Sequence, residues 1–290
     1  MKEDLVKIAF IGGSGLYEID GIADVVEKDI DTPFGKPSDK IIIGNLNGIN
    51  CAFLPRHSRN HTLMPSEINQ RANIYALKSI GVEKIVSFTA SGSLKENIKP
   101  KEIVIPDQIF DRTKNRPSTF FENGIVVHVS FAEPFCNEIR DLIHKTVGDL
   151  ALEHHFGGTY VCIEGPQFST KAESEVYRQL DFSLIGMTIC PEAKLARESE
   201  ICYANISLIT DFDSWKFGSE VTNDAVVLVS QTNSSTAKKI IKNLADKLEK
   251  MEIKCSCRNA LRSAIMTSYD KVKTSPHYKN VSLLLGKYCE

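Results

Sequence analysis

The sequence lacks a long apolar segment, a strong net charge and any low-complexity tract. No apolar run approaches the roughly 20 residues of a membrane-spanning helix, and residues 1–6 (MKEDLV) lack the apolar core of a signal peptide. The 35 basic and 37 acidic residues give a net charge of −2, so no broad electropositive field favours nucleic acid or an anionic membrane. We expect a cytoplasmic protein whose partner is a small molecule.

The composition is that of a globular protein. Hydrophobic residues make up 42% of the 290 residues and charged residues 25%, which supplies a core and excludes disorder for the bulk of the chain. Because single cores stop growing near about 250 to 300 residues, one domain is the better interpretation. We assign it to residues 1–250, with a C-terminal tail of unclear role over residues 251–290.

Apolar runs and helical patterns alternate along the chain. Asn47-Gly48 joins two strand-like runs as a hairpin. A helix is predicted to open at Pro65 and to close at Gly81, and Thr222 is predicted to cap a last long helix ending near residue 250. The alternation predicts an α/β protein with a mixed or parallel sheet covered on both faces.

The glycine loop after the first strand matches neither common nucleotide-binding motif. Glu18 occupies the third glycine position of G-x-G-x-x-G, and no G-K-[ST] ending is present. What remains is a run of small residues whose backbone N–H groups, with the Ser14 hydroxyl, suit one small anion. A plain tight turn is the alternative.

Polar and small side chains follow two further predicted strands. Arg56 and His57 follow one of them directly, and Thr89 and Ala90 follow another. Open α/β sheets bind ligands at carboxyl ends of strands, and the arginine fork of donors suits phosphate. We therefore expect three strand ends to converge on one anion, although a solvated loop is the plainer interpretation of Arg56 and His57.

No metal site is expected. His57 and His61 have the i, i+4 spacing of a zinc helix, but the segment HSRNH lacks the required Glu. Cys255 and Cys257 form C-S-C, too close for a zinc knuckle, which needs two to four intervening residues and a second ligand pair. Other cysteines lie in apolar stretches and are interpreted as small buried hydrophobes.

Two carboxylates end the longest apolar strand. Strand alternation puts Asp211 and Asp213 on the same side, as an acid/base or base-reading pair, unless Asp213 is only a cap. Phe168, after an earlier strand, is suited to stack on a flat ring.

Several motifs stand in order along the chain. They are residues 12–16 (GGSGL), 32–39 (TPFGKPSD), 55–78 (PRHSRNHTLMPSEINQRANIYALK), 105–113 (IPDQIFDRT), 128–136 (HVSFAEPFC), 163–174 (IEGPQFSTKAES), 186–198 (GMTICPEAKLARE) and 201–215 (ICYANISLITDFDSW). Together, over about residues 7–248, they resemble the methylthioadenosine phosphorylase family.

This resemblance implies the nucleoside phosphorylase fold, with a mixed central sheet flanked by helices, and assembly as a homotrimer or a dimer of trimers. It implies that inorganic phosphate cleaves methylthioadenosine to adenine and 5-methylthioribose 1-phosphate without a cofactor. Position by position, it implies phosphate-binding residues Ser14, Arg56, His57, Thr89, Ala90 and Thr188, substrate-binding residues Phe168, Ser169, Met187, His128, Val226 and Val227, and catalytic residues Asp211 and Asp213. His128 matches a residue that reaches into the neighbouring subunit's site.

The chemistry of the acids agrees with this assignment. A carboxyl near N7 that supplies or holds a proton makes adenine a better leaving group, which suits Asp211. An ionised carboxylate only accepts hydrogen bonds and matches the 6-amino group, which suits Asp213. A purine nucleoside phosphorylase that accepts adenosine or inosine, or a nucleoside-binding protein without activity, are the alternatives.

The C-S-C segment also resembles the C-x-C of some archaeal thermophile members. We expect that Cys136 can pair with Cys202 and that Cys255 can pair with Cys257.

Overall fold

The central β-sheet is mixed and branches at one long strand. The computed structural model describes residues 6–13, 16, 19–217 and 223–289. Within them, the strands are β1 (Ile8–Gly12), β2 (Ile22–Lys28), β3 (Ile41–Leu46), β4 (Ile49–Pro55), β5 (Lys84–Ser93), β6 (Ile103–Ile105), β7 (Gln108–Arg112), β8 (His154–Phe156), β9 (Thr159–Ile163), β10 (Leu184–Gly186) and β11 (Cys202–Asp211). Their order is β2-β3-β4-β1-β5-β10-β9-β7, while β11 pairs with β5 and β6, and β6 with β8. The mixed α/β architecture predicted from the sequence is confirmed.

Strand β5 is the branch point. It pairs in parallel with β1 along its first half and in parallel with β11 along most of its length. Its end pairs antiparallel with β10. The carboxyl ends of β1, β4, β5 and β11 therefore lie at one edge of the sheet, because β4 is parallel to β1.

The hairpin predicted at Asn47-Gly48 is confirmed. Strands β3 and β4 pair antiparallel, with Leu46 opposite Ile49. Asn47 and Gly48 have φ angles of 54° and 87°, and two successive positive φ values are what the right-handed twist of a two-residue hairpin requires.

Seven helices surround the sheet in the described part of the chain. They are α1 (Gln70–Ser79), α2 (Asn137–Asp149), α3 (Lys171–Gln179), α4 (Ile189–Glu198), α5 (Asn223–Lys250), α6 (Tyr269–Thr274) and α7 (Tyr278–Cys289). None of them is long and apolar enough to span a membrane. The predicted start of α1 at Pro65 is wrong, because Asn69 caps the helix by accepting from the Ala72 N–H (3.1 Å). Thr222, the predicted cap of α5, lies outside the described residues.

Strand alternation builds a core on each face of the sheet. In β1, Ile8 and Phe10 face the helices α2 and α5, while Ala9 and Ile11 belong to the cluster on the other face. Phe10 stacks on Phe53 of β4 with ring centroids 5.6 Å apart. Both faces are therefore sealed, which leaves the strand ends as the place for a ligand.

The C-terminal segment packs into the core beside α1 and α4. Val272 of α6 and Leu285 of α7 are fully buried in the same cluster as Ile74 and Leu77 of α1. The ring of His277 is also buried, and its Nε2 donates to the Phe120 carbonyl (2.8 Å). The sequence left the role of the tail open, and in the structure these residues pack into the core.

We therefore expect Leu285→Ala to lower the free energy of unfolding by about 2–5 kcal/mol, because it opens a cavity under α7. The matched control is Leu283→Ala on the same helix, where the side chain is 41% exposed and the expected change is within about 0.5 kcal/mol. Urea unfolding of the full chain measures both. Equal effects for the two variants contradict the packing of α7.

Candidate active site

A cavity of about 1090 Å³ lies at the shared edge where β1, β4, β5 and β11 end. We call it the strand-end cavity. Eleven residues that the sequence pointed to line it: Arg56, His57, Thr89, Ala90, Phe168, Ser169, Met187, Thr188, Asp211, Asp213 and Val227. Ser14 and the side chain of Val226 lie outside the described residues. Gly13 lines the cavity, so the end of β1 reaches it together with β4 and β5.

Arg56 is held in the cavity wall by a buried ion pair. Its Nε and one Nη lie 2.7 and 2.9 Å from the two carboxylate oxygens of Glu192, and the two side chains are 2% and 0% exposed. Arg56 also donates to the Ser87 hydroxyl (2.6 Å) and to the Phe88 carbonyl (3.1 Å). Tyr203 donates to Glu192 as well (2.8 Å). These bonds fix the guanidinium in one orientation. Arg56 is therefore not the solvated loop residue of the plainer interpretation.

Sequence reasoning missed Glu192, which lies 136 residues from Arg56 in the chain. A Glu on a helix is most often solvated, so its residue type carried no signal. The one available signal was the position of Arg56 at the end of a buried strand. A buried charge without a partner is costly, so a buried Arg needs an acidic residue beside it.

His57 is a neutral imidazole at physiological pH. Burial lowers the pKa of His57 to about 4. Its Nδ1 lies 2.8 Å from the Leu63 carbonyl, which only accepts, so Nδ1 carries the proton and Nε2 is the free acceptor. His61 stacks on the ring with centroids 4.5 Å apart. Both histidines lie on turns rather than on the helix that a zinc motif needs.

Hydroxyl groups line the wall beside Arg56. The Thr89 hydroxyl lies 3.1 Å from the Ser207 hydroxyl and 3.3 Å from that of Ser91. Thr188 precedes the first turn of α4 and makes no side-chain capping bond. Hydroxyls rotate to donate or accept, which suits the oxygens of an anion.

Asp211 and Asp213 both line the cavity, but strand alternation is the wrong reason. β11 ends at Asp211, and a bulge shifts its register against β5 between Ile209 and Asp211. Asp213 then begins a 3₁₀ turn with a φ of 51°, in the left-handed region. The Asp213 N–H donates to Asp211 Oδ1 (2.7 Å), and the Thr210 hydroxyl donates to Asp211 Oδ2 (2.7 Å). A turn, and not an extended strand, brings the carboxylates together.

The two acids have different environments. The Thr210 hydroxyl and the Asp213 N–H donate to the carboxylate of Asp211 and orient it. Asp213 is buried, its Oδ2 has no hydrogen-bond partner, and burial raises the pKa of Asp213 to about 6.

Gly92 makes room for the acid pair. It lies opposite Asp211 in the β5–β11 register, and a Cβ built on it comes within 2.8 Å of Asp211 Oδ1. The sequence pointed to Thr89 and Ala90 on this strand but not to Gly92. Any side chain at this position has to displace the Asp211 carboxylate.

Among the described residues of the cavity wall, three buried oxygen atoms have no hydrogen-bond partner. They are Ser169 Oγ, Asp213 Oδ2 and Asn233 Oδ1 of α5. An unsatisfied buried polar group costs about 1–3 kcal/mol, which a ligand with N–H or O–H donors offsets. Asn233 was missed because an amide on a long amphipathic helix gives no sequence signal of its own.

His128 lies elsewhere in the protomer. It is exposed beside a second concavity of about 560 Å³, and this concavity shares no lining residue with the strand-end cavity among the described residues. The His128 N–H donates to the Ala264 carbonyl (2.8 Å) of the C-terminal segment. Within one chain, His128 is therefore not part of the strand-end cavity.

Comparisons with known proteins agree with the motif resemblance. The S-methyl-5'-thioadenosine phosphorylase of Geobacter sulfurreducens is 47% identical over 284 residues, which cover 97% of this chain and 98% of that protein. The enzyme of the same name from Hyperthermus butylicus is 48% identical over 262 residues, covering 89% of this chain and 95% of that protein.

Solved structures give the same result. A methylthioadenosine phosphorylase from an antarctic soil metagenomic library has a TM-score of 0.93 and 45% identity, covering 97% of this chain and 99% of that one. The methylthioadenosine phosphorylase of Schistosoma mansoni in complex with adenine has a TM-score of 0.85 and 31% identity, covering 90% and 99%.

A family model described as "Phosphorylase superfamily" matches residues 7–246, which is most of the chain. With the fold and the strand-end cavity described above, this match means that the chain belongs to the phosphorylase superfamily.

Proposed function

We propose that this protein catalyses the phosphorolysis of 5′-methylthioadenosine by inorganic phosphate, giving adenine and 5-methylthioribose 1-phosphate. The observation that carries the proposal is the strand-end cavity, with an arginine, a histidine and hydroxyls in one part of its wall and two carboxylates in another. Asp211 lies opposite Gly92 of β5. Gly92 is three residues beyond Thr89 on that strand, which separates the two positions by about 10 Å. That separation accommodates a phosphate, a ribose and a purine in a row.

The phosphate binds beside β4 and β5 in this proposal. Arg56 uses four of its five N–H groups within the protein, which leaves one for a phosphate oxygen. Thr89, Thr188 and the backbone at Ala90 surround the same space, and Ser14 is a further candidate. His57 Nε2 accepts a hydrogen bond from the O–H of a monohydrogen phosphate, which orients the phosphate. A phosphate oxygen then attacks C1′, and no cofactor is needed.

The leaving adenine is the harder part of the reaction. The C1′–N9 bond breaks and its electron pair passes to the base, so protonation at N7 lowers the barrier. Asp211 is the candidate to deliver or hold that proton, because Thr210 and the Asp213 N–H fix its orientation. Asp213 accepts from the 6-amino group through its unpartnered Oδ2. A 6-oxopurine presents an acceptor there and is disfavoured.

The 5′ methylthio group is apolar and needs an apolar wall. Val227 of α5 lines the cavity and is 56% exposed, and Val226 is a further candidate. Phe168, Ser169 and Met187 are proposed for the base and the ribose. We expect the enzyme to act in the cytoplasm.

One assay tests the function. Purified protein is incubated with methylthioadenosine, adenosine or inosine, with and without phosphate, and free base is measured. We expect phosphate-dependent release of adenine that is fastest from methylthioadenosine. Equal use of adenosine or inosine indicates a broader purine nucleoside phosphorylase, and binding without release indicates a nucleoside-binding protein.

Replacement of Asp211 tests the proton role. We expect Asp211→Ala to lower kcat for methylthioadenosine about 10²- to 10⁴-fold with a smaller change in KM, because a general acid is lost. Asp211→Asn is also expected to lower kcat, because an amide keeps the shape of the carboxyl but cannot deliver its proton. The control is Asp246→Ala on the exposed side of α5, which leaves kcat unchanged. Wild-type turnover of Asp211→Ala at saturating phosphate contradicts the role.

The acid pair also predicts a pH dependence. Asp213 accepts most strongly from the 6-amino group when it is ionised, and burial raises the pKa of Asp213 to about 6. As the pH falls from 8 through about 6, the carboxyl gains a proton, the charge-assisted hydrogen bond from the 6-amino group is lost, and KM for methylthioadenosine increases. Asp213→Asn is expected to remove this rise. A wild-type KM that is constant between pH 5 and pH 8 contradicts the prediction.

We further propose a homotrimer or a dimer of trimers, in which His128 serves a neighbouring subunit. Its exposure and its distance from the strand-end cavity of its own chain support this arrangement. Light scattering or native mass spectrometry is expected to give three or six chains per particle, and His128→Ala to raise KM more than it lowers kcat. A stable and fully active monomer contradicts the proposal.

A further inference from the structure

Four cysteines from distant parts of the chain form one cluster. They are Cys136, Cys202, Cys255 and Cys257, and their sulfur atoms all lie within 4.8 Å of one another. The Cys255 sulfur lies 3.4 Å from that of Cys202 and 3.6 Å from that of Cys136. All four are free thiols in the structure. We call this group the thiol cluster.

Three different elements supply the cluster. Cys136 immediately precedes α2, Cys202 is the first residue of β11, and Cys255 and Cys257 lie at the 3₁₀ turn that follows α5. Three of the four are buried among apolar side chains of the α2 and α5 face, and Cys255 is half-buried. None of them lines the strand-end cavity, so the cluster is separate from the proposed chemistry.

The separations between the sulfur atoms fit a tetrahedral metal site. A Zn–S bond of about 2.3 Å in a tetrahedron puts neighbouring sulfurs about 3.8 Å apart. The separations of 3.4 and 3.6 Å are close to this value, and no two of the four sulfurs are more than 4.8 Å apart. Four thiolates are a ligand set for closed structural zinc, while oxygen-preferring cations avoid sulfur.

We propose that the thiol cluster binds one Zn²⁺ as a structural site that fastens the segment after α5 to β11 and to the start of α2. The C-S-C segment supplies one ligand pair, and Cys136 with Cys202 supplies the second. Binding requires that the thiols lose their protons, and its free energy adds to that of folding. The C-terminal helices α6 and α7 follow this segment, so the metal holds the start of the tail in place.

Disulfide formation competes for the same sulfur atoms. The pairs expected from the sequence, Cys136 with Cys202 and Cys255 with Cys257, use all four ligands, so one chain cannot hold both bridges and the metal. The experiment therefore measures metal content and thiol state on the same full-length sample, purified in a reducing buffer without chelator.

We expect elemental analysis to give about one zinc per chain. Replacement by Co²⁺ is expected to give intense thiolate-to-cobalt charge-transfer bands and the visible bands of tetrahedral cobalt. Cys255→Ser, at the half-buried position, is expected to lose most of the metal and to lower the melting temperature. The matched control is Cys51→Ala, a buried cysteine outside the cluster, which is expected to keep one zinc per chain.

Two results overturn the proposal. One is wild-type protein that takes up neither zinc nor cobalt stoichiometrically under reducing conditions. This result includes protein that holds disulfides instead, which is recognised because its four cysteines resist alkylation and its mass is lower by two hydrogens per bridge. The other is Cys255→Ser protein that still binds one zinc per chain and keeps the cobalt bands of the wild type. The cobalt spectrum of the wild type decides the question even if the variants do not fold.

Discussion

The parallel pairing of β5 with β11 is the constraint on which the rest of the structure depends. This pairing runs from Lys84 opposite Cys202 to Gly92 opposite Asp211. It places the acid pair, at the end of β11, beside the end of β5, which bears Thr89 and Ala90. Both halves of the proposed reaction therefore rest on one rigid pair of strands. At the other end, the same register anchors Cys202, and with it the thiol cluster, to the central strand.

The close approach at Gly92 and the turn at Asp213 are consequences of this register. A bulge before Asp211 lets the chain leave the strand, and the missing side chain at Gly92 gives the carboxylate space. The backbone of Asp213 takes a positive φ, which costs a non-glycine residue free energy. The bond from its N–H to Asp211 helps to offset that cost.

The buried ion pair of Arg56 and Glu192 adds positional precision at a price in desolvation. Neither charge is exposed to water, and removal of one partner of such a pair costs about 3–5 kcal/mol. The hydrogen bonds to Ser87, Phe88 and Tyr203 supply the remaining partners. The guanidinium is therefore oriented in advance, so a bound anion meets a donor that loses little freedom on binding.

The sequence by itself determined the alternation of strands and helices, the hairpin, the family and the residues at the strand ends, because period and turn chemistry are local interactions. It missed β2, an edge strand whose residues are mostly exposed and give no apolar alternation. Only the tertiary structure decided that Glu192 faces Arg56, that α7 completes the core, and that Cys136 and Cys202 join the C-S-C segment. These contacts join residues far apart in the chain, and they arise from how the sheet and helices pack, which no local pattern records.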